Sequence, residues 1–319
     1  MNMQNPYVEK QFVDRFTKPT DAVKYISELE SLDLSKITEV QLGVLLDKYF
    51  PIFPFTSGHI QKGEEVFRAR ININNKPFTN VKEIYVRDKE FITSYGRAHR
   101  PKEQIFYCSS NYLLAAFEVI HDLKNSLYPN RVVAYLTVGI WKAERNLHIS
   151  NIIHSKKLHA LRKDMFQAYH SNQDLLNTGR LKGETIDASN LLLQFFSDQF
   201  TKSIIKSDND YKISAFYASR LMQANELIAR PYHLERFDGI NYPSVAMKYQ
   251  GDNQAIFTND FENKFKLVNA IQVVCENVNF DTGDFLPVVL QEAESIKEGI
   301  ITWKTKMHHA KSEKIQPII

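Results

Sequence analysis

The chain has 319 residues, 43% of them hydrophobic and 12% aromatic, which supplies a sizeable core for one large domain with appendages. Lys and Arg number 40 and Asp and Glu 37, and the resulting net charge of +3 gives no support to charge-driven nucleic-acid binding. Two cysteines, Cys108 and Cys275, each in an apolar setting, exclude a disulfide framework and read as reduced and buried.

The start, MNMQNPYVEKQF, shows no basic stretch followed by an apolar one, so no signal peptide is expected there. No apolar run approaches the roughly 20 residues of a membrane span. A cytoplasmic location, without membrane contact, is the expectation.

Residues 1–60 read as a helical N-terminal segment. Apolar residues recur at helical spacing from Asp21 to Leu29 and from Glu39 to Phe50, and Pro51 and Pro54 close the second helix. From Glu65 to Ile71 the pattern switches to alternation, a strand that carries Arg68 and Arg70 on the side away from Phe67. Each arginine reads by itself as a solvated strand residue. Ile84-Tyr85-Val86 reads as a further short strand.

The chain is organised around Ser94–Asp122. A cationic loop holds Arg97, His99, Arg100 and Lys102 beside Gly96, and suits either phosphate oxygens or solvent. A short strand, Ile105-Phe106-Tyr107-Cys108, follows. Ser109-Ser110-Asn111 then offers N-caps to a helix that begins at Tyr112. Within its apolar run sits one carboxylate, Glu118. It either reaches water along the helix edge or is a buried charge that needs a cation.

Arg131 to Ile140 is a near-continuous β-branched run, read as a buried strand. The polar segment of about 142–185 reads as an insertion, with a basic patch at His154–His159, a helix to about Tyr169 and a loop over Ser171–Thr185. Helices follow from Asp187 to about Ile205 and from Tyr211 to Met222, with acidic residues at both starts. A turn at Phe237-Asp238 leads to a short strand that ends at Pro243-Ser244. Gly251-Asp252-Asn253 turns the chain into the strand Gln254–Phe257.

Beyond residue 263, Phe265–Val268 and Ala270–Val274 read as strands, Leu290–Gly299 as a helix, and Lys304–Ile319 as a charged tail in which His308-His309 has no partner motif. No metal-ligand spacing stands out, and the P-loop, dinucleotide, HExxH and GxSxG motifs are absent. The class is α+β: a mixed β core with surrounding helices. The expected segments are 1–60, a main domain over 61–262, and an extension over 263–319.

Three patches resemble, in order and character, the RES domain family, over roughly residues 64–260. They are Val66-Phe67-Arg68-Ala69; Gly96-Arg97 with Ile105–Ser109 and Leu114–Val119; and Phe237–Ser244. The resemblance implies a bent, ADP-ribosyltransferase-like fold and an NAD-consuming toxin of a bacterial toxin–antitoxin pair. Its reaction is cleavage of the nicotinamide–ribose bond by water or phosphate. It also implies that Arg68, Glu118 and Ser244 are the catalytic residues, and that Arg97, Tyr107, Tyr95 and Asn253 bind substrate. The implied partners are NAD as substrate and a cognate antitoxin protein; association with further copies of the chain is left open by the sequence. No metal and no cofactor beyond NAD are implied.

The chain departs from the compact family members in its N-terminal segment, its insertion and its C-terminal extension. Arg70 lies one strand step from Arg68 and competes for the same assignment. Two other readings stand beside the first: an ADP-ribosyltransferase that modifies a macromolecule, and a non-catalytic interaction module on the same fold.

Overall fold

The computed structural model describes residues 17–51, 53–121, 133–178, 183–224, 235–276, 278–280 and 285–305. The N-terminal stretch before residue 17, Arg131 and Val132, and the tail with His308 and His309 lie outside the described residues. The strands are β1 (Ser57–Ile60), β2 (Glu65–Ile71), β3 (Ile105–Ser109), β4 (Ala134–Ala143), β5 (Leu147–Asn151), β6 (Gly239–Pro243), β7 (Asp252–Phe257), β8 (Phe265–Glu276), β9 (Leu286–Lys297) and β10 (Ile300–Thr305). The helices are α1 (Pro19–Glu30), α2 (Glu39–Tyr49), α3 (Val81–Ile84), α4 (Tyr112–His121), α5 (Lys156–His159), α6 (Lys163–Thr178), α7 (Glu184–Phe200) and α8 (Lys212–Ala224). The fold is α+β, with a mixed sheet in the order β1-β5-β6-β7-β3-β2-β4-β8-β9-β10. The mixing comes from β5 and β6, which pair in parallel.

The chain forms two compact units. The first gathers residues 1–61, 87–107 and 146–261. Its helices start where the sequence supplies caps. Thr38 accepts from the Gln41 N–H at 3.2 Å while the Gln41 side chain accepts from the Thr38 N–H at 2.9 Å, a capping box that opens α2. Ser207 and Asp210 form another just before α8. Leu29, Leu42, Leu46, Phe196, Phe200, Tyr217, Tyr242 and Phe257 then share one buried cluster. Truncating any such ring to alanine costs about 3–5 kcal/mol.

The expected helical segment 1–60 therefore contains two helices and then a strand, β1, which pairs antiparallel with β5. The expected insertion contains β5, a strand of the sheet. Part of the expected loop at 171–185 is helix, because α6 runs on to Thr178.

The second unit gathers residues 62–86, 108–145 and 262–319. Here β2, β4, β8, β9 and β10 pair antiparallel in that order, and α4 packs on β2. The Asn111 side chain accepts from the Leu114 N–H at 2.8 Å, so the expected N-cap is the one in use. Ile84 ends a helical turn, α3, rather than opening a strand, because Asn80 and Glu83 form a capping box around it.

The stretch expected as a helix at 290–299 is strand β9 and its turn. Glu298 and Gly299 have φ of 50° and 78°, the left-handed pair that a two-residue hairpin needs, and Lys297 pairs with Ile300 across it. Expected strands 265–268 and 270–274 are one strand, β8, with a register shift opposite β4 between Ile140 and Trp141.

Candidate functional site

In the second unit, β2 presents Val66, Arg68 and Arg70 on one face, by the two-residue strand period. The Arg68 Nε–H donates to the Tyr85 carbonyl at 3.2 Å, and Arg70 donates to the Glu83 carbonyl at 2.7 Å. Two arginines two residues apart thus reach two carbonyls two residues apart and fasten the end of α3 to the sheet. The solvated-edge reading of these arginines gives way to this role. Tyr85 tilts against Trp141 at 6.1 Å, and burial raises its phenol above the ordinary range.

Glu118 stands half-buried on α4, between the fully buried Phe117 and Ile120. The helix is otherwise apolar on its packed side, where Leu114, Ala115 and Ala116 are also buried. Because α4 packs on β2, Glu118 and Arg68 lie on adjoining elements of one unit. Cys108, at the edge of this unit, is buried, and its thiol is pushed up by burial while the Arg68 charge opposes the shift. Cys275 is buried as well, its thiol pushed up to about 12. Neither is poised as a nucleophile.

The other expected site residues belong to the first unit. Gly96 admits the His99 ring so closely that a Cβ there would lie 2.1 Å from its Cε1. The Tyr107 hydroxyl accepts from the Ala98 N–H at 2.9 Å and lies 2.8 Å from His99 Nδ1. Burial pushes the Tyr107 phenol up and the His99 imidazole down, so both are neutral at pH 7. Tyr95 bonds Glu39 at 3.2 Å under the Lys212 ammonium, with its phenol pushed up to about 12 by burial.

Arg97 donates to the Phe200 carbonyl, at the C-terminal end of α7, and its guanidinium lies 5.1 Å from the Tyr211 ring centre. A cation suits that end of a helix. Lys157 donates to the next carbonyl, Thr201, at 3.0 Å, and the Tyr249 hydroxyl donates to the same oxygen at 3.2 Å. Beside them burial lowers the Lys202 ammonium below its ordinary range. Sequence reading missed Lys157, Lys202, Tyr211 and Tyr249, because this grouping depends on where α7 ends.

Ser244 is fully buried. Its N–H donates to the Gly251 carbonyl at 3.0 Å, its carbonyl accepts from Tyr249 at 2.6 Å, and its hydroxyl accepts from the Met247 N–H at 3.1 Å. These bonds close a turn in which Lys248 and Tyr249 take φ of 49° and 70°, a left-handed pair without glycine. Arg162 clamps the same turn by donating to the Tyr249 carbonyl at 3.0 Å. Asn253 lies inside β7, buried and opposite Tyr242, rather than on the preceding turn. The Ser244 turn and Arg97 thus converge on residues 200–202 in the first unit, while Arg68 and Glu118 belong to the second.

A further set lies at β1 and β5. His59 and His148 are directly opposite in register, and their ring centres are 5.3 Å apart. Glu235 reaches both rings, with closest approaches of 3.9 Å. Two short strands, SGHI and LHIS, each with one histidine, were the only signal of it in the sequence.

Comparison with models of known protein families gives no match, and comparison with curated proteins gives no significant relative. No helix among the described residues is long and apolar enough to cross a membrane.

Proposed function

We propose that the protein consumes NAD by cleaving the bond between nicotinamide and ribose, as a toxin or defence effector. The observation that carries this reading is the half-buried Glu118 carboxylate on a helix packed against the strand of Arg68.

The chemistry needs little more than a well-placed charge. Nicotinamide leaves as a neutral molecule, because the pair of electrons of the breaking C–N bond cancels the pyridinium charge. Positive charge then develops on the ribose, as in glycoside hydrolysis. A carboxylate beside that ribose stabilises it and orients the attacking oxygen of water or phosphate. Attack gives ADP-ribose and a proton with water, or ADP-ribose 1-phosphate with phosphate. Arg68 supplies positive charge that attracts the pyrophosphate. Ser244, in the other unit, positions the 244–251 turn through the bonds described above.

The test is incubation of the full chain with NAD, with and without phosphate, followed by mass analysis of the products. Nicotinamide release by the wild type, lowered about 10²- to 10³-fold in a folded Glu118→Gln variant, is the expected result. No release from the folded wild type, or equal release by the variant, overturns the reading. Label from NAD that appears in a protein instead would identify a transferase. Arg97→Ala and Tyr107→Phe in the same assay test the substrate-binding expectation for the cationic loop.

A further inference from the structure

We infer that His59, His148 and Glu235 form a binding site for a divalent transition-metal ion of the zinc class, with a fourth position open to water. Antiparallel pairing of β1 and β5 puts the two imidazoles side by side on one face of the ladder. Their rings are nearly parallel, at 23°. Glu235 comes to 3.9 Å of His59 Nε2 with one oxygen and to 3.9 Å of His148 Nδ1 with the other. One donor atom from each residue falls within 4.8 Å of the others. Tetrahedral zinc holds its donors about 3.3 Å apart at bond lengths near 2.0–2.1 Å. Closing that gap takes up to about 1.5 Å, a movement that falls to the two exposed side chains, His59 and Glu235.

The state of His148 is the independent sign of a ligand. It is 9% exposed, and its Nδ1 lies beside the Glu235 carboxylate and the Arg236 backbone without a hydrogen bond of good geometry. Its other nitrogen, Nε2, lies 2.7 Å from the Ser57 hydroxyl. With the proton on Nε2 and donated to Ser57, Nδ1 carries a lone pair aimed at Glu235. A buried nitrogen with that arrangement is the pattern of a metal-binding histidine fixed by an outer partner. The ring is further held by Phe237, stacked at 4.1 Å, and by reciprocal backbone and side-chain bonds between His148 and Asp238. Two imidazoles and one carboxylate favour zinc-class ions over magnesium or calcium, which prefer oxygen donors.

The ion would join strand β1, the segment around Glu235 and strand β5 at one point. This inference is independent of the NAD reading.

The test is a titration of the chelator-stripped full chain with zinc against a chromophoric competitor, repeated with cobalt for its visible absorption. One equivalent per chain is expected, with a rise in the melting temperature. His59→Ala, exposed and so tolerated by the fold, is expected to lose the tight equivalent, the melting shift and the cobalt spectrum. Ser57→Ala is expected to weaken binding about 10- to 100-fold. Circular dichroism checks that each variant is folded. Wild-type binding below one equivalent overturns the assignment. Undiminished binding in His59→Ala does so too, because the metal would then sit on other histidines.

Discussion

The Tyr107 hydroxyl stands between the Ala98 N–H, at 2.9 Å, and His99 Nδ1, at 2.8 Å. Accepting from Ala98 and donating to neutral His99 satisfies all three groups with one oxygen. That oxygen fixes the start of the cationic loop, and with it the place from which Arg97 reaches Phe200. Tyr107→Phe leaves the Ala98 N–H, in a fully buried residue, without this acceptor. We expect a loss of about 1–3 kcal/mol in denaturant unfolding. A variant as stable as the wild type would show that the hydroxyl is not what holds the loop.

Ser244 closes its turn with backbone and side chain together. Removing only the hydroxyl, in Ser244→Ala, costs the Met247 N–H its acceptor, at 3.1 Å. The turn keeps its backbone bonds and the Arg162 clamp. We therefore expect a local effect: a loss of about 1 kcal/mol in stability, with faster amide exchange at Met247 and Tyr249. Unchanged exchange there would remove the positioning role.

Much of this architecture was legible in the sequence, and the losses have physical causes. The strands at Glu65–Ile71 and Ile105–Ser109 and the helix after Asn111 were readable because alternation and capping are local. Leu290–Gly299 was not: glutamates and a lysine favour a helix, and the strand is imposed by pairing with β8 and by the hairpin at Glu298-Gly299. β5 escaped because a five-residue strand in polar surroundings has no strong period. Arg68, Glu118 and Arg97 were legible as candidates by residue type, the first two in one unit and Arg97 in the other. Their neighbours were not, since Arg97 meets Tyr211 and Phe200 more than a hundred positions along the chain. The His59–His148 pair depends on register, which neither strand specifies alone.

The second unit carries a polar ladder across its strands. The Thr137 hydroxyl accepts from the Asn72 amide at 2.6 Å and from the Phe78 N–H at 3.1 Å. Gln272, opposite Thr137 in register, donates to the Asn75 carbonyl at 2.9 Å, and Gln291 donates to Gln272 at 2.6 Å. These bonds satisfy the buried polar groups of the 72–78 loop. Thr137→Val keeps the shape and removes the acceptor. We expect a loss of about 1–3 kcal/mol, read as a lower urea midpoint at unchanged slope. Gln272→Ala should add less than its separate cost when combined with Thr137→Val, because both act on the same loop.

His154 sets a pH dependence. It is 2% exposed, lies 3.4 Å from the Thr56 hydroxyl and the Asn172 amide, and packs edge-on against Tyr169. Burial, with His159 nearby, pushes its imidazole down to about 4 from an ordinary value of 6.5. Between those values the unfolded chain holds a proton that the folded protein refuses. Stability from this group is therefore complete above pH 6.5 and is lost as the pH falls through the window, by about 3 kcal/mol at pH 4. Carboxylates add their own acid dependence, so the informative quantity is the difference from a variant. His154→Gln cannot take up the proton. Unfolding free energies measured at pH 7 and pH 4.5 should fall by about 2 kcal/mol less in the variant than in the wild type. Equal falls would mean that His154 accepts its proton in the folded protein as readily as in water.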